Sequence, residues 1–369
     1  MKNNRVVITN AAQLSVCGDQ ISDFWDAVLL KKSTFPKLNK RTGRYCYLVS
    51  ERDNYENKYE GFIKTVWNAL RLDPGNGRQN LIIGSTHGDY LSVLREDRAN
   101  FPSRKRMEEL LGVDIDLCCN VSTSCTSSLS AMGVAYRMIK SGQIENAVVG
   151  GCEVLDDFIM TGMDILRALS SKERSTPFSK KRDGTVLGEG CALFVIKSLE
   201  SALQTEDRIL AEIVGYANIN DANDTTKPDL SGWGLSATMR ACLQEAVLLS
   251  ADIGYINSHG TGTRYNDITE TNALKDVFNQ NVLTSSIKPV IGHTLGACSA
   301  LETLSCILAL EHQIIPPTLS DVEPDEGLDI DYCFNVSRPA HLEYAVKNSM
   351  GFWGTNASVI LKRWPKTDG

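Results

Sequence analysis

The chain has 369 residues, of which 42% are hydrophobic, so it can bury a large core, and its length favours two or three domains. A formal net charge of −7 argues against a general nucleic-acid-binding surface, which would need a basic patch. No apolar stretch has the length of a membrane span, and the first residues lack the apolar region of a signal peptide. We therefore expect a cytoplasmic protein with no membrane insertion and no nucleic-acid partner.

Short β-rich runs alternate with helical patterns along the chain, which is typical of α/β architecture. The predicted strands, in chain order, are Arg5–Thr9, Leu81–Gly84, Ala147–Gly150, Ala192–Ile196, Ala211–Gly215, Ile253–Asn257 and Ser358–Leu361. The predicted helices are Ile21–Leu30, Tyr59–Leu72, Ser127–Lys140, Leu235–Leu249, Ile268–Phe278 and Ser299–Leu310. A polar stretch, Asn218–Gly232, separates two portions that each contain this alternation, although no convincing sequence repeat relates them.

Cys125 lies in the segment Ser122-Thr123-Ser124-Cys125-Thr126-Ser127-Ser128, directly before a predicted helix. The apolar residues of that helix recur at helical spacing: Leu129, Met132, Tyr136 and Ile139. A cysteine at a helix N-terminus faces unpaired N–H groups and the positive end of the helix dipole, which favours its thiolate. For an isolated cysteine, a small buried residue beside capping serines is the commoner interpretation.

Two histidines lie in turns of small residues after apolar runs that we interpret as strands. His259 follows Ile256-Asn257-Ser258, and His293 follows Lys288-Pro289-Val290-Ile291-Gly292. The glycines beside both histidines let backbone or substrate approach the rings. One cysteine with distant histidine partners is typical of a nucleophilic enzyme, although the pairing is weak support by itself.

The sequence contains 11 cysteines, which are scattered and include no C-x-x-C pair. This spacing does not predict a zinc site, so we expect no metal. Reduced thiols in this number are consistent with the cytoplasmic assignment.

Several blocks occur in the order found in one enzyme family: Val6-Val7-Ile8-Thr9, Thr123-Ser124-Cys125-Thr126-Ser127, Arg182-Asp183-Gly184-Thr185-Val186-Leu187-Gly188-Glu189-Gly190, the two histidine turns, Pro316-Pro317-Thr318, and Asn348-Ser349-Met350-Gly351-Phe352-Trp353-Gly354-Thr355-Asn356. On these blocks the chain resembles the β-ketoacyl-acyl carrier protein synthases, the elongating Cys-His-His condensing enzymes of the thiolase superfamily. The resemblance implies a thiolase-like α/β fold, in which two related halves form a layered α/β/α/β/α core. Residues 1–217 would carry the nucleophilic cysteine, and residues 218–369 the two histidines.

The resemblance also implies a reaction, the decarboxylative Claisen condensation of an acyl thioester with malonyl-acyl carrier protein in fatty-acid or polyketide biosynthesis. Cys125 would hold the acyl group. His259 and His293 would act as neutral imidazoles that donate hydrogen bonds to the thioester oxygen while negative charge develops there. The backbone N–H groups of Cys125 and Phe352 would form the oxyanion hole.

Further roles follow from the same resemblance. Lys288 matches a catalytic lysine and Glu302 its supporting partner, although spacing alone leaves both open as surface charges. Thr261 and Thr263 match the threonines that bind phosphopantetheine, and Phe352 matches an aromatic residue beside the acyl pocket. The chain would need no cofactor of its own, because acyl carrier protein delivers the phosphopantetheine arm.

The expected partners are acyl carrier protein, the acyl and malonyl thioesters, and a second subunit. The family state implies a homodimer, and a heterodimer with a related ketosynthase subunit stays open. Lys180, Lys181 and Arg182 are either a contact for the acidic carrier protein or an ordinary solvated loop.

Among the departures of the chain from the family pattern, two concern the acyl pocket. Trp353 occupies a position usually held by glycine, so we expect its indole to narrow the acyl pocket or to reorient Phe352. The segment between Gly84 and Cys125 is short, and its Phe101–Asp116 portion is atypical. These departures favour specialised polyketide or modified fatty-acid synthesis over bulk fatty-acid synthesis.

Three alternatives remain. A non-catalytic, chain-length-determining subunit of a heterodimer usually lacks the cysteine that this chain retains at Cys125. A degradative thiolase needs a second catalytic cysteine near the C-terminus, for which Cys333, without flanking glycines, is a poor candidate. An acyl-transferring or decarboxylating ketosynthase homologue would retain the same residues.

Overall fold

The computed structural model of the chain describes residues 4–49, 57–72, 78–88, 101–278, 282–320 and 323–365. The strands are β1 (Val6–Leu14), β2 (Lys37–Asn39), β3 (Arg44–Tyr47), β4 (Gln79–Gly84), β5 (Ile115–Val121), β6 (Asn146–Glu153), β7 (Leu187–Gly188), β8 (Gly190–Ser198), β9 (Ala211–Asn220), β10 (Ile253–Asn257), β11 (Thr284–Ser285), β12 (Ile314–Ile315), β13 (Arg338–Pro339), β14 (Tyr344–Gly351) and β15 (Thr355–Arg363). The helices are α1 (Ile21–Val28), α2 (Lys58–Ala69), α3 (Arg104–Leu111), α4 (Ser127–Lys140), α5 (Asp157–Ile165), α6 (Leu199–Gln204), α7 (Trp233–Ala246), α8 (Arg264–Phe278), α9 (Lys288–Ile291) and α10 (Cys298–His312). Among the described residues, no helix is both long and apolar enough to cross a lipid bilayer.

The main sheet consists of two halves that share one topology. Its strand order is β11-β10-β14-β15-β9-β1-β8-β6-β4-β5, and a short antiparallel pairing of Val6–Ile8 with Ala211–Ile213 joins β1 to β9. On each side of this junction, the first strand of the half lies innermost and its third strand lies at the outer edge. The parallel and antiparallel pairings also correspond strand by strand. The structure thus shows two related halves, while the division predicted between residues 217 and 218, which falls within β9, stays a prediction.

Helices occupy three layers around the two half-sheets. The central helices α4 and α10 pack against each other and against strands of both halves, within one large apolar cluster. Every residue of α10 from Cys298 to Leu310 is buried. Helix α2 covers the outer face of the first half-sheet, and α7 and α8 cover that of the second. This is the layered α/β/α/β/α arrangement implied by the resemblance.

All seven predicted strands and all six predicted helices are confirmed as elements at their positions. Three predicted helices end early: α1 stops at Val28, α2 stops at Ala69, and α7 stops at Ala246 because Val247 takes a left-handed conformation. The prediction missed β5 and β14, whose interiors carry polar residues such as Asn120 and Lys347 that interrupt the strand pattern.

The strand predicted before His293 is wrong. Lys288–Ile291 forms the short helix α9, with Pro289 in its first turn. Proline is favoured there because its missing N–H would have no helical partner and its fixed φ suits the helix. The apolar run alone does not distinguish a buried helical turn from a strand.

Candidate active site

Cys125 lies in a tight turn between β5 and α4. Ser124, directly before it, has a left-handed φ of 57°. The turn is held by Thr126 Oγ1, which donates to Thr123 O at 2.7 Å, and by Ser127 Oγ, which donates to Ser124 O at 2.5 Å. Gly84, at the end of β4, lies so close that a Cβ there would come within 2.3 Å of the Ser127 carbonyl carbon. This packing fixes the start of α4, so the position of the Cys125 thiol is set by the sheet beneath it.

The two predicted histidines lie beside Cys125. His259 follows β10, and its backbone N–H and that of Gly260 donate to the two oxygens of Glu270 at 2.6 and 2.8 Å. His293 follows α9, and its N–H donates to Val186 O at 2.7 Å. The imidazole rings meet edge to face with centroids 5.2 Å apart. One donor atom from each of Cys125, His259 and His293 lies within 4.8 Å of the other two.

These side chains face one cavity of about 490 Å³. That volume is within the range of pockets for small organic ligands. Of the predicted site residues, the cavity is lined by Cys125, His259, Thr261, Thr263, His293 and Phe352. The hydroxyls of Thr261 and Thr263 lie 2.9 Å apart. Lys288 and Glu302 lie behind this wall, since both are fully buried and do not line the cavity.

Burial dominates the ionisation of the three central groups. It raises the pKa of the Cys125 thiol to about 11, although a hydrogen bond from Ser124 and the Lys288 charge lower that pKa. Desolvation is therefore the larger effect, and it opposes the thiolate that a position at a helix N-terminus favours. Burial, together with the charges of Lys288 and Lys347, holds the pKa of both His259 and His293 well below the ordinary value of 6.5. Both imidazoles are neutral at pH 7.

A buried ionic cluster supports His259 from behind. Lys288 Nζ lies 2.5 Å from Glu302 Oε1, so the pair suggested by the resemblance is present. The same ammonium donates to His259 O at 2.5 Å and lies 3.4 Å from His259 Nδ1. Burial is the largest single effect and lowers the pKa of Lys288, but Glu302 together with Cys298 and Glu270 outweighs it, and the net shift is upward. Lys288 therefore stays charged against the back of the imidazole.

Three residues of this region were not identified from the sequence. Glu270 holds the His259 turn, and Lys347 binds the second oxygen of Glu302 at 2.9 Å. Cys298 Sγ donates to Cys125 O at 3.3 Å. Only Lys347 had a detectable signal, a lysine directly after the apolar run Tyr344-Ala345-Val346, but that run was not recognised as a strand. Cys333, the sequence candidate for a second cysteine, does not line the cavity.

The Phe352 turn closes the site opposite the histidines. A Cβ on Gly351 would lie 3.2 Å from the Cys125 backbone nitrogen and 2.5 Å from Thr355 Oγ1. The backbone at Gly351 therefore lies so close to the Cys125 turn that only glycine fits there. This approach brings the backbone at the start of the Phe352–Gly354 turn next to the Cys125 backbone nitrogen.

Trp353 does not narrow the pocket, contrary to expectation. Its side chain is 66% exposed and does not line the cavity. The residue has a left-handed φ of 67°, and its N–H donates to Thr225 O at 2.7 Å. The indole is directed outward because the left-handed turn places Phe352, and not Trp353, against the site.

We expect Trp353→Gly to leave acyl-chain selectivity unchanged. Because glycine adopts the left-handed conformation without steric cost, the substitution should stabilise the fold by about 1 kcal/mol. The measurements are a thermal melt and the ratio of condensation rates for long and short acyl substrates. Phe352→Ala, at the cavity wall, is the matched comparison and should change that ratio. A shift toward long acyl groups in Trp353→Gly would contradict the outward placement.

Lys180, Lys181 and Arg182 do not form a free basic patch. Lys180 lies 2.8 Å from Glu326, Lys181 lies 3.8 Å from Glu323, and Arg182 lies 2.7 Å from Asp325. Because acidic residues of the segment 323–326 neutralise each of these basic residues, this loop is a poor binding surface for an acidic protein.

Two family profiles match the sequence. "Beta-ketoacyl synthase, N-terminal domain" matches residues 117–202, and "Beta-ketoacyl synthase, C-terminal domain" matches residues 210–321. Together they cover more than half of the chain. A 3-oxoacyl-[acyl-carrier-protein] synthase 2 from Coxiella burnetii is 30% identical over 411 aligned residues, covering 98% of this chain and 99% of that protein. The synthase 2 of Vibrio harveyi is 38% identical over 253 residues, which span 66% of this chain and 61% of that relative.

Solved structures show the same likeness over nearly the whole chain. A type II polyketide ketosynthase, solved in complex with its acyl-carrier protein, is 27% identical with a TM-score of 0.89 and coverage of 98% of this chain and 100% of that one. The ishigamide ketosynthase/chain length factor is 26% identical with the same TM-score and the same coverage. These likenesses confirm the predicted thiolase-like α/β fold.

Proposed function

The chain belongs to the β-ketoacyl synthase family, and from this membership we propose that it catalyses the decarboxylative condensation of an acyl thioester with malonyl-acyl carrier protein. The observation that carries the proposal is the convergence of Cys125 with two neutral histidines on one cavity. A chain-length-determining subunit without activity has no use for a cysteine placed in this way.

The first step transfers the acyl group to Cys125. Its sulfur attacks the carbonyl carbon of the incoming thioester, the bond to the carrier thiol breaks, and the thiol proton of Cys125 passes to the departing thiolate. Because burial raises the pKa of Cys125 to about 11, this proton has to leave as the sulfur–carbon bond forms. The adjacent neutral imidazoles can relay it. The Cys125 and Phe352 N–H groups would stabilise the negative oxygen of the tetrahedral intermediate.

The second step forms the carbon–carbon bond. The bond between the malonyl carboxylate and the α-carbon breaks, carbon dioxide leaves, and the electron pair delocalises onto the thioester oxygen. N–H groups of His259 and His293 would stabilise this enolate, which requires that both rings be neutral. The α-carbon then attacks the acyl carbonyl, the thioester bond to Cys125 breaks, and the cysteine sulfur regains a proton.

The malonyl and acyl groups would arrive on the phosphopantetheine arm of a carrier protein, with no separate cofactor bound to this chain. Thr261 and Thr263 face the cavity with hydroxyls 2.9 Å apart, and these would bind such an arm. The function is tested by incubating the protein with a panel of acyl-carrier proteins and measuring its intact mass. We expect the mass of one accepted acyl group on Cys125, and a β-ketoacyl product after malonyl-carrier protein is added. If the protein is not acylated and does not decarboxylate the malonyl group with any carrier protein, the proposal is contradicted.

The cavity mouth supports a carrier protein as the partner. Arg167, Lys227 and Arg264 line the cavity and are exposed. Within the described part of the chain, none of them forms an ion pair with an acidic side chain. An acidic carrier would be attracted to these three charges as its arm enters.

We expect Lys227→Glu combined with Arg264→Glu to raise the KM for malonyl-carrier protein about tenfold while kcat changes little, because charge reversal at a rim mainly affects encounter. Malonyl-pantetheine, which has no carrier protein, should show an unchanged KM. Arg240→Glu is the matched control, since Arg240 is exposed but pairs with Asp276 away from the cavity mouth. An equal loss with malonyl-pantetheine would show damage to the cavity instead of loss of docking.

A second ketosynthase-fold chain is the other partner that we propose. Among the described strands β5 pairs only with β4, so its outer side is a sheet edge. Such edges add strands from partner chains readily. An identical copy or a related subunit, of the kind named in the ishigamide ketosynthase/chain length factor, fits this edge.

A further inference from the structure

Glu302 binds two buried lysines at once. Its Oε1 lies 2.5 Å from Lys288 Nζ, and its Oε2 lies 2.9 Å from Lys347 Nζ. All three side chains are fully buried. A buried charge is costly unless paired, so each carboxylate oxygen with its own ammonium is the arrangement that stabilises the cluster.

Lys347 connects three elements that form the site. It lies on β14, four residues along the chain before the turn that begins at Gly351, and its register partner on β10 is Asn257. Its ammonium also donates to Ser258 O at 3.4 Å and to Asn348 O. Glu302 belongs to the central helix α10. The lysine therefore joins the strand before Phe352, the turn that carries His259, and the central helix.

The ion pair at the second oxygen of Glu302 affects His259, because the carboxylate is close to that imidazole. One oxygen of Glu302, one nitrogen of His259 and the sulfur of Cys298 lie within 4.8 Å of one another. If Oε2 had no cationic partner, this carboxylate would attract a proton to the imidazole and compete for its N–H. A protonated or diverted His259 stabilises an enolate less well.

We propose that Lys347 is a positioning residue for the condensation: by occupying the second oxygen of Glu302, it keeps the His259 imidazole available to the substrate oxygen. The proposal rests on the function proposed above. Lys347 acts through Glu302 and His259, because it does not line the cavity. It differs in this from Lys288, which contacts His259 directly.

The charged and titratable groups around His259 determine the sign of the pH effect. They are Lys288, Lys347, Glu270, Glu302, His293, Cys125 and Cys298. Removing the Lys347 charge removes one of the causes that lower the pKa of His259. Since the reaction needs the neutral ring, a higher His259 pKa causes activity to be lost at a higher pH as the solution is acidified.

The test is Lys347→Met, which keeps the length of the side chain and removes its charge. We expect malonyl decarboxylation to fall about tenfold while acylation of Cys125 stays within about twofold. The acid limb of the decarboxylation profile should move to higher pH. The matched control is Lys197→Met, which removes a largely buried lysine paired with Asp207 outside the cavity and should leave the profile unchanged.

A double variant separates this role from simple packing. Lys347→Met with Glu302→Gln removes both the lysine and the carboxylate that competes for His259, while the amide oxygen can still accept from Lys288. We expect its acid limb to return to the parental position. Because the double variant removes one positive and one negative charge, it keeps the net charge of the cluster, and its acid limb is compared directly with that of the parent if Lys347→Met does not fold.

Three results would overturn the inference: an unmoved acid limb in Lys347→Met, equal losses of acylation and decarboxylation, or a double variant whose acid limb stays displaced. These results differ from failure of the proposed function, in which the unmodified protein would neither acylate Cys125 nor decarboxylate malonyl-carrier protein. If the unmodified protein performs both steps and Lys347→Met is unaffected, only the proposed role of Lys347 is contradicted.

Discussion

Cys125→Ala is expected to form no acyl-enzyme and to lose condensation by at least about a thousandfold, because the covalent intermediate has no other place to form. The neighbouring hydroxyls are weaker nucleophiles than a thiol, and they are already committed. Thr126 Oγ1 donates to Thr123 O and Ser127 Oγ donates to Ser124 O, both within the turn. Malonyl decarboxylation can persist in part, since it depends on the histidines and not on the sulfur.

Intact-mass analysis after exposure to an acyl-carrier protein measures this effect. Cys298→Ala is the matched control: Cys298 is the adjacent buried cysteine but does not line the cavity, so that variant should still gain the acyl mass. Burial raises the pKa of Cys298 to about 12, which further disfavours it as a nucleophile. A thermal melt shows whether Cys125→Ala stays folded. An undiminished acyl mass on folded Cys125→Ala would refute the assignment.

His259→Ala and His293→Ala are each expected to reduce malonyl decarboxylation about a hundredfold or more, while acylation of Cys125 falls much less. The reason is that negative charge on the malonyl thioester oxygen develops only in the later step, and removing one donor from such a site costs about this factor. The two steps are measured separately, as carbon dioxide released from malonyl-carrier protein and as acyl mass on the protein. The reverse pattern, with acylation lost and decarboxylation intact, would show that the roles are assigned wrongly.

The same histidines determine a pH dependence. The pKa of both imidazoles lies well below 6.5 in the folded protein, so decarboxylation should keep its rate as the pH falls through 6.5 and decline only below it. In the unfolded chain these histidines have ordinary pKa values and bind protons near pH 6.5. At these two histidines the unfolded state therefore takes up more protons than the folded state as the pH falls, and their contribution to the free energy of unfolding decreases.

Much of the site was predictable from sequence because its chemistry lies in short, local turns. Cys125 was identified beside the start of α4, and His259 and His293 in their glycine-bounded turns. Each signal depends on residues adjacent in the chain, whose backbone preferences act locally. The same holds for helices such as Ser127–Lys140, whose apolar spacing was sufficient to predict them.

Only the tertiary structure decided how these turns combine and which charges surround them. It brought Lys347 of β14 to the second oxygen of Glu302 of α10, and it revealed two halves of one topology without a detectable sequence repeat. It also placed Trp353 outward, and it showed that burial raises the pKa of Cys125 although the cysteine lies at a helix N-terminus. Burial and charge pairing depend on residues that are distant in the chain and become neighbours only on folding. Local sequence patterns and the family resemblance therefore indicated the candidate reacting groups, whereas the protonation states and support of those groups follow from the assembled core.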